Sequence, residues 1–353
     1  AAVLFLFQRG LGTGLTIYAP AIILSAILGW NLTYMNIVIG VLVIVYTFSG
    51  GTKAVNVTQK QQMFVIMSGM FITFFLILRY LPNDMTFTSA LHIAGANDKM
   101  NIVNFSFDPE EKYTFWSGIT GGFFLALAYF GTDQSQVGRY LSGRSVKESQ
   151  MGLIMNGLLK VPMQFFILLT GVMVFVFFQF NPVPLNFNPN NKAMSEKSAY
   201  KGEYNALEKK LDDLSEDKKV INLLYIDQLN QDYDNPTLRK ELVTLSNKEK
   251  DLRDRAKEII LKADSNSETN DKDYVFFHFI LNYLPKGLIG LLLAVIISAA
   301  MSSTASGLNA LASTTAIDIY KRNVKVEKSE RHYLNATKFF TLLWGIIAIL
   351  FAC

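Results

Sequence analysis

Residues 287–317, between Lys286 and Asp318, carry no charged side chain. A helix crosses the apolar thickness of a bilayer with about 20 residues, so this run alone directs the chain towards the membrane class. Its composition changes halfway. Leu, Ile, Val, Ala and Gly fill Gly287 to Ile297, whereas Ala, Ser, Thr, Gly and Asn dominate from Ser298 to Thr315. A helix that only faces lipid has no need of that change. Small hydroxylated residues at membrane depth let helices approach closely, or supply oxygens to an ion. Ala299, Ser302, Ser303 and Ser306 fall at i, i+3, i+4 and i+7 and so share one helical face. Two hydroxyls and a carbonyl suit Na⁺, with a second helix completing the shell. The same pattern also serves a packing seam whose serines bond back to their own helix.

The rest of the chain agrees with the membrane class. Half of its 353 residues are apolar, and they gather into long runs. We count seven hydrophobic segments: Leu11 to Leu28, Met35 to Phe48, Gln62 to Leu78, Tyr113 to Gly131, Gln150 to Phe180, the run after Gly287, and one beginning near Ala336. Gly50-Gly51-Thr52-Lys53 predicts a tight turn between the second and third. The chain begins at Ala1 without Met and stops at Cys353 inside an apolar run, so it reads as an internal stretch of a longer protein. One cysteine excludes an intrachain disulfide, and three scattered histidines give no metal-ligand spacing. The net charge of +4 is no nucleic-acid signature, because the basic residues concentrate beside apolar segments. No nucleophile–base pair appears, so an enzyme is not expected.

Lys and Arg bias sets the expected orientation. With the first segment running outward, inner loops hold Lys53, Arg139, Arg144, Lys147 and the basic cluster from Lys321 to Arg331; outer short loops hold Arg79, Lys99 and Lys112. Residues 1–180 then form segments one to five, 181–273 an extracytoplasmic insertion, and 274–353 an interfacial helix with segments six and seven. The insertion opens with a Pro-rich stretch and turns rich in Lys, Glu and Asp. Leu207, Leu211 and Leu214, and again Leu238, Leu242 and Leu245, recur at helical spacing, with a break at Asp234-Asn235-Pro236. A charged antiparallel helical hairpin on the outer face is the prediction, and its surface offers a place for a protein partner. Val275 to Tyr283 predicts a short aromatic helix at the outer interface.

Three further stretches carry candidate chemistry. The fourth segment ends in AYFGTDQSQVGRYLSGRS, which sets Tyr129, Asp133, Gln134 and Arg139 at one helix end; an aromatic packing residue and a snorkelling arginine explain them equally well. Lys160 lies in the fifth segment two residues before Pro162. It serves either a substrate pathway or simple snorkelling. The third segment opens with GGTKAVNVTQKQQ, which places Gln59 beside Lys60.

Together these motifs resemble the sodium/solute symporter family. AAMSSTASGLNALASTTAIDIYK is similar to that family's sodium-site helix, and YxxTDQ followed by VxRYLS is similar to its gate region. The resemblance implies an all-α polytopic fold, part of a ten-helix core of two inverted repeats, of which this chain supplies the third to eighth helices and the start of the ninth. It implies Na⁺ ligands at Ala299, Ser302 and Ser303, a gating Tyr129 beneath the solute, and Lys160 at a substrate-pathway lysine. A second sodium site in some members uses an Asp and two serines. Gln59 and Ala305 replace two of those ligands and Ser306 keeps the third, which implies one coupling sodium. The insertion is a departure from the family pattern. The expected activity is symport of a small organic solute by alternating access in a plasma or bacterial inner membrane, with a sugar or sugar acid favoured. A transporter-derived sensor signalling through the insertion and a proton-coupled carrier of a small carboxylate using Asp133 or Lys160 are the alternatives.

Overall fold

The computed structural model describes residues 2–101, 103–108, 110–111, 113–141, 143, 145–265, 267–324 and 328–353, without the side chains of residues 26–27, 50–58, 139 and 141. Helices carry the described residues, with no strand among them. In chain order they are α1 (Ala2–Leu28), α2 (Leu32–Tyr80), α3 (Phe87–Ala96), α4 (Phe115–Gly131), α5 (Gln134–Leu141), α6 (Val146–Phe177), α7 (Pro189–Lys197), α8 (Lys201–Asn230), α9 (Pro236–Ala263), α10 (Lys272–Tyr283), α11 (Lys286–Thr314) and α12 (Glu330–Ala352). A π-helical turn, Thr315–Lys321, extends α11. Among the described residues five stretches are long and apolar enough to cross a membrane: Leu32–Ser49, Gln59–Tyr80, Val146–Phe177, Lys286–Lys321 and Glu330–Ala352.

One expectation is corrected. Gly50-Gly51-Thr52-Lys53 forms no turn: α2 runs unbroken for 49 residues, roughly 74 Å at 1.5 Å per residue. Glycine weakens a helix interior by about 1 kcal/mol without breaking it, and no proline is present to do so. The two apolar windows of α2 are joined by helix rather than separated by loop.

The chain divides into two compact units whose boundaries fall inside α2, α6 and α11 and after the first residue of α4. The first comprises residues 1–69, 116–159 and 290–353. Its core gathers Ile17, Ala21 and Leu24 of α1, Met35, Ile39 and Val43 of α2, Ala305 and Leu308 of α11, and Ala348 of α12. Close packing here depends on glycine in both directions across one crossing. A Cβ on Gly40 would strike Ile349, and one on Gly345 would strike Ile44. The π-helical turn is fixed to α12 by Trp344 Nε1, which donates to Thr315 Oγ1 at 2.9 Å, and by Tyr320, stacked on His332. α4 buries none of its residues, and Phe124 and Leu125 are largely exposed. An apolar helix left bare in this way suits lipid or further membrane helices.

The second unit comprises residues 70–115 and 160–289. Phe71 and Phe74 of α2 meet Phe166 of α6, and Phe177 meets Phe279 and Tyr283 of α10. α8 and α9 lie antiparallel, joined by a short turn where Asn235 caps α9 and Pro236 takes the first helical position, where its missing N–H costs nothing. Tyr204, Leu207, Leu211, Ala256, Ile259 and Ile260 form the base of this hairpin around Leu185. Higher up, the core turns polar: Lys218, only 4% exposed, pairs with Glu249 at 2.9 Å, and Arg253 also bonds Glu249. Burial pushes the Glu249 carboxyl up, but the Lys218 and Arg253 charges outweigh it and hold the group below its ordinary value. Asn222 is fully buried, and neither of its amide atoms finds a partner among the described residues. A polar layer of this kind favours one register over others at a cost in stability. The tip rests on the α3 region, where Asn230 donates to Asp84 O and Ser246 to Asn97 Oδ1.

Candidate functional site

The hydroxyl-rich half of α11 faces three environments within the first unit. Thr304 is fully buried; it donates to Ala300 O at 2.8 Å, and its hydroxyl lies 3.0 Å from Thr16 Oγ1 of α1. Gly307, one turn on, lies so close to α1 that an added Cβ would sit 2.8 Å from Thr13 Oγ1 and 3.7 Å from Arg9 Nε. This side is a small-residue packing seam. About 200° round the helix, two steps of 100°, buried Ser302 accepts from Gln59 Nε2 at 2.5 Å. Ser306 donates to Ser302 O at 3.0 Å and also lies 3.5 Å from Gln59 Nε2. Between these sides Ser303 is exposed and Ala299 half-buried. The seam against α1 thus uses Thr304 and Gly307 rather than the serine pattern, of which Ser306 bonds back to its own helix.

A second cluster forms where α4 stops. Thr132 and Asp133 both donate their N–H to Ala128 O, and Asp133 caps the short α5 by accepting from Ser135 N at 2.9 Å and Ser135 Oγ at 2.7 Å. Tyr140 OH donates to Phe130 O and folds α5 back onto the end of α4. Arg9 of α1 reaches this break: Nη1 lies 3.3 Å from Asp133 Oδ2 and Nη2 donates to Ser135 Oγ at 2.8 Å. A cavity of about 290 Å³ opens beside the pair, with Gln8, Arg9 and Gly12 on one wall and Ala128, Tyr129 and Thr132 on the other. Tyr129 turns its edge to Phe130, with ring centroids 5.0 Å apart.

The candidates from sequence therefore separate. Gln59 joins Ser302 and Ser306; Tyr129 and Asp133 line one cavity; Gln134 is exposed at the start of α5. Lys160 belongs to the second unit, on an exposed stretch of α6. The Arg139 side chain lies outside the described residues, as do Arg144, Lys112 and Lys325 and the side chain of Lys53 among the loop charges. Arg9 was not among the site candidates. An arginine in an apolar helix is a default functional candidate, but its partners lie more than a hundred residues away, and nothing in one sequence pairs them.

Comparison with known proteins bears on the fold and the family. The family model described as sodium:solute symporter family matches residues 4–205 and 261–353 and passes over most of α8 and α9. The human sodium/iodide cotransporter is 32% identical over 144 residues, 41% of this chain and 22% of that protein. The mouse sodium-coupled monocarboxylate transporter 2 is 33% identical over 157 residues, 44% of this chain and 25% of that protein. The fold is similar to the substrate-bound outward-open structure of a Na⁺-coupled sialic acid symporter, with a TM-score of 0.67 and 20% identity over 99% of this chain and 57% of that one. The chain thus spans about half of that structure, and its matched stretch spans about a quarter of the curated relatives. The match over most of its length, both membrane-helix units included, shows that this chain belongs to the sodium:solute symporter family.

Proposed function

We propose that the full-length protein is a sodium-coupled symporter of a sugar or sugar acid, working by alternating access. The observation that carries this reading is the serine pair of α11. Ser302 is buried against Gln59 while Ser303 is exposed beside it. Ser303 is open to receive an ion, and Ser302, which accepts one bond from Gln59, keeps a second lone pair for it. With the Ala299 carbonyl, Ser302 and Ser303 form part of an oxygen shell, and parts of the family fold that this chain does not span supply the rest. Gln59 speaks for one coupling ion: its amide N–H points at Ser302 and Ser306, where a second cation would need an oxygen. Each sodium ion entering down a membrane potential contributes about 2.3 kcal/mol per 100 mV.

The cavity beside Tyr129 supports a polar solute, since Gln8, Arg9, Thr132 and Asp133 offer donors and acceptors around one aromatic ring. The named relatives carry iodide and monocarboxylates, and the structural neighbour carries sialic acid, which favours the acid within the sugar class. Asp133 is engaged by Arg9 and Ser135. The test is uptake by the full-length protein in liposomes under separate sodium and proton gradients, with a hexose, a sugar acid, lactate and iodide. Sugar-acid uptake driven by sodium is expected. Uptake that follows the proton gradient and ignores sodium overturns the proposal, and lactate or iodide as the preferred solute overturns its substrate class.

A further inference from the structure

We infer that Arg9 is a positioning residue for the transport cycle: its guanidinium latches α1 to the α4–α5 break, and release of that latch opens the cavity beside Tyr129. This inference rests on the symporter reading above.

Three observations carry it. The contact spans three separate elements. Arg9 leaves α1, passes over α11 where Gly307 has no side chain, and ends on Asp133 and Ser135. The break it holds is the mouth of the cavity: Asp133 and Thr132 line it, and Tyr129 is one turn before them. Fixing Asp133 against Arg9 therefore fixes the end of the helix that carries Tyr129. The pair is also half-open, with side-chain exposures of 31% for Arg9 and 18% for Asp133 over a buried Ser135. A pair sealed from water leaves two stranded charges when it opens, whereas a fully exposed pair holds little. Intermediate exposure lets water take over both charges on opening, as a reversible contact requires.

The latch is tied to the sodium face by packing. α1 rests on α11 through Thr13 against Gly307 and Thr16 against Thr304, and Ser302 and Ser303 lie on that same helix. Movement of α11 between sodium-bound and sodium-free states would carry α1, and Arg9 with it. The latch is then the two-state element that coupling requires. By the Lys and Arg bias the α4–α5 break lies on the inner side, so the contact closes the inner mouth.

Thiol labelling in the full-length protein tests it. Cys353→Ser removes the cysteine of this stretch, other cysteines of the full-length protein are replaced likewise, and Gly12→Cys places a thiol in the cavity wall, where an added Cβ meets no atom within 4 Å. Inside-out vesicles are treated with a membrane-impermeant maleimide, with and without sodium. Asp133→Asn is expected to raise the labelling rate at position 12 by about tenfold or more, the size of a lost charge-assisted hydrogen bond. Exchanging the charges, Arg9→Asp with Asp133→Arg, is expected to bring the rate back towards the parent. Ser135→Ala, which removes a single bond, is read if Asp133→Asn fails to insert, with a rise of a few-fold expected. Unchanged labelling in the inserted single variants overturns the latch, as does a charge exchange no closer to the parent than Asp133→Asn. Sodium-dependent uptake by the otherwise cysteine-free protein with Gly12 intact is followed in parallel vesicles. Its absence counts against the symporter reading and leaves the labelling contrast to judge the latch.

Discussion

Ser303→Ala separates a sodium ligand from a packing serine more cleanly than any other change on α11. Ser302 is a poor choice: it is buried, and its loss strips the acceptor from the Gln59 amide 2.5 Å away, so folding and ion binding change together. Ser303 is exposed, and alanine there opens no cavity among the described residues. The whole effect then falls on the ion. Loss of one ligand to a charged partner costs about 1.5–3 kcal/mol, or roughly 10- to 150-fold in affinity. Sodium and solute binding are linked, so apparent solute affinity falls at low sodium and recovers partly at high sodium. Ser306→Ala is the control. It removes a bond to Ser302 O, worth about 0.5–1.5 kcal/mol of stability, and leaves the sodium shell intact. The assay is initial uptake against sodium concentration for wild type and both variants at matched surface expression. Equal sodium half-saturation in all three rejects Ser303 as a ligand.

Three other outcomes follow from named contacts. Gln59→Asp with Ala305→Ser replaces an amide donor by a carboxylate beside Ser302 and Ser306; the sodium-to-solute flux ratio is expected to move from near one towards two, and an unchanged ratio rejects Gln59 as the reason for single coupling. Deleting residues 219–248 behind a short Gly/Ser linker keeps the hairpin base and the Glu249–Arg253 contact but removes the tip that bonds Asp84 and Asn97. Uptake is expected within about twofold of wild type, since surface changes away from a site are close to neutral, and lost transport with normal insertion shows that the tip takes part in gating. Glu249 has a depressed pKa, so its contribution to the hairpin is full above the ordinary carboxylate value near pH 4 and is lost as pH falls below it. Hydrogen exchange of the α8 and α9 amides should be flat with pH above that value, once intrinsic exchange is corrected for, and should quicken below it; Glu249→Gln, which leaves Lys218 buried without its charge partner, should remove that pH dependence.

What the sequence made legible was local and periodic. The long uncharged run set α11, and the leucine spacing with Pro236 set the two hairpin helices. Pattern failed where long-range contact decided. The paired glycines at residues 50 and 51 suggested a turn, yet helix continues through them, because two glycines weaken a helix without ending it. Lys218, Asn222 and Glu249 read as surface charge and amide in a charged helix, and only the antiparallel register buries Lys218 and Asn222 and sets half-buried Glu249 against the lysine. Arg9 gave no sign of its partner, since the contact with Asp133 depends on how α1, α11 and the α4–α5 break converge. Conversely, the serine pattern could not say which hydroxyl faces which neighbour, because steps of 100° put adjacent residues of one stripe against different helices.

That division of α11 among neighbours yields a contrast between two substitutions one turn apart. Thr304→Val keeps the shape of the side chain and removes its hydroxyl. Thr16 retains its own bond to Thr13 O at 2.7 Å, and Ala300 O retains its helical partner, so no buried polar group is left bare. A stability change of no more than about 1 kcal/mol follows, with sodium half-saturation within about twofold of wild type. Gly307→Ala adds one methyl, which would meet Thr13 Oγ1 at 2.8 Å and crowd the Arg9 side chain. Backbone must move to admit it, at about 1–3 kcal/mol for overpacking, less the roughly 1 kcal/mol that alanine returns in helix propensity. The displacement pushes α1 away from α11 at the level of Arg9, so it strains the Asp133 contact while leaving every charged residue in place. Labelling at position 12 should rise in Gly307→Ala and stay level in Thr304→Val. If the hydroxyl pair rather than the close approach carried α1, the order would reverse, and the packing route between the sodium face and Arg9 would be wrong.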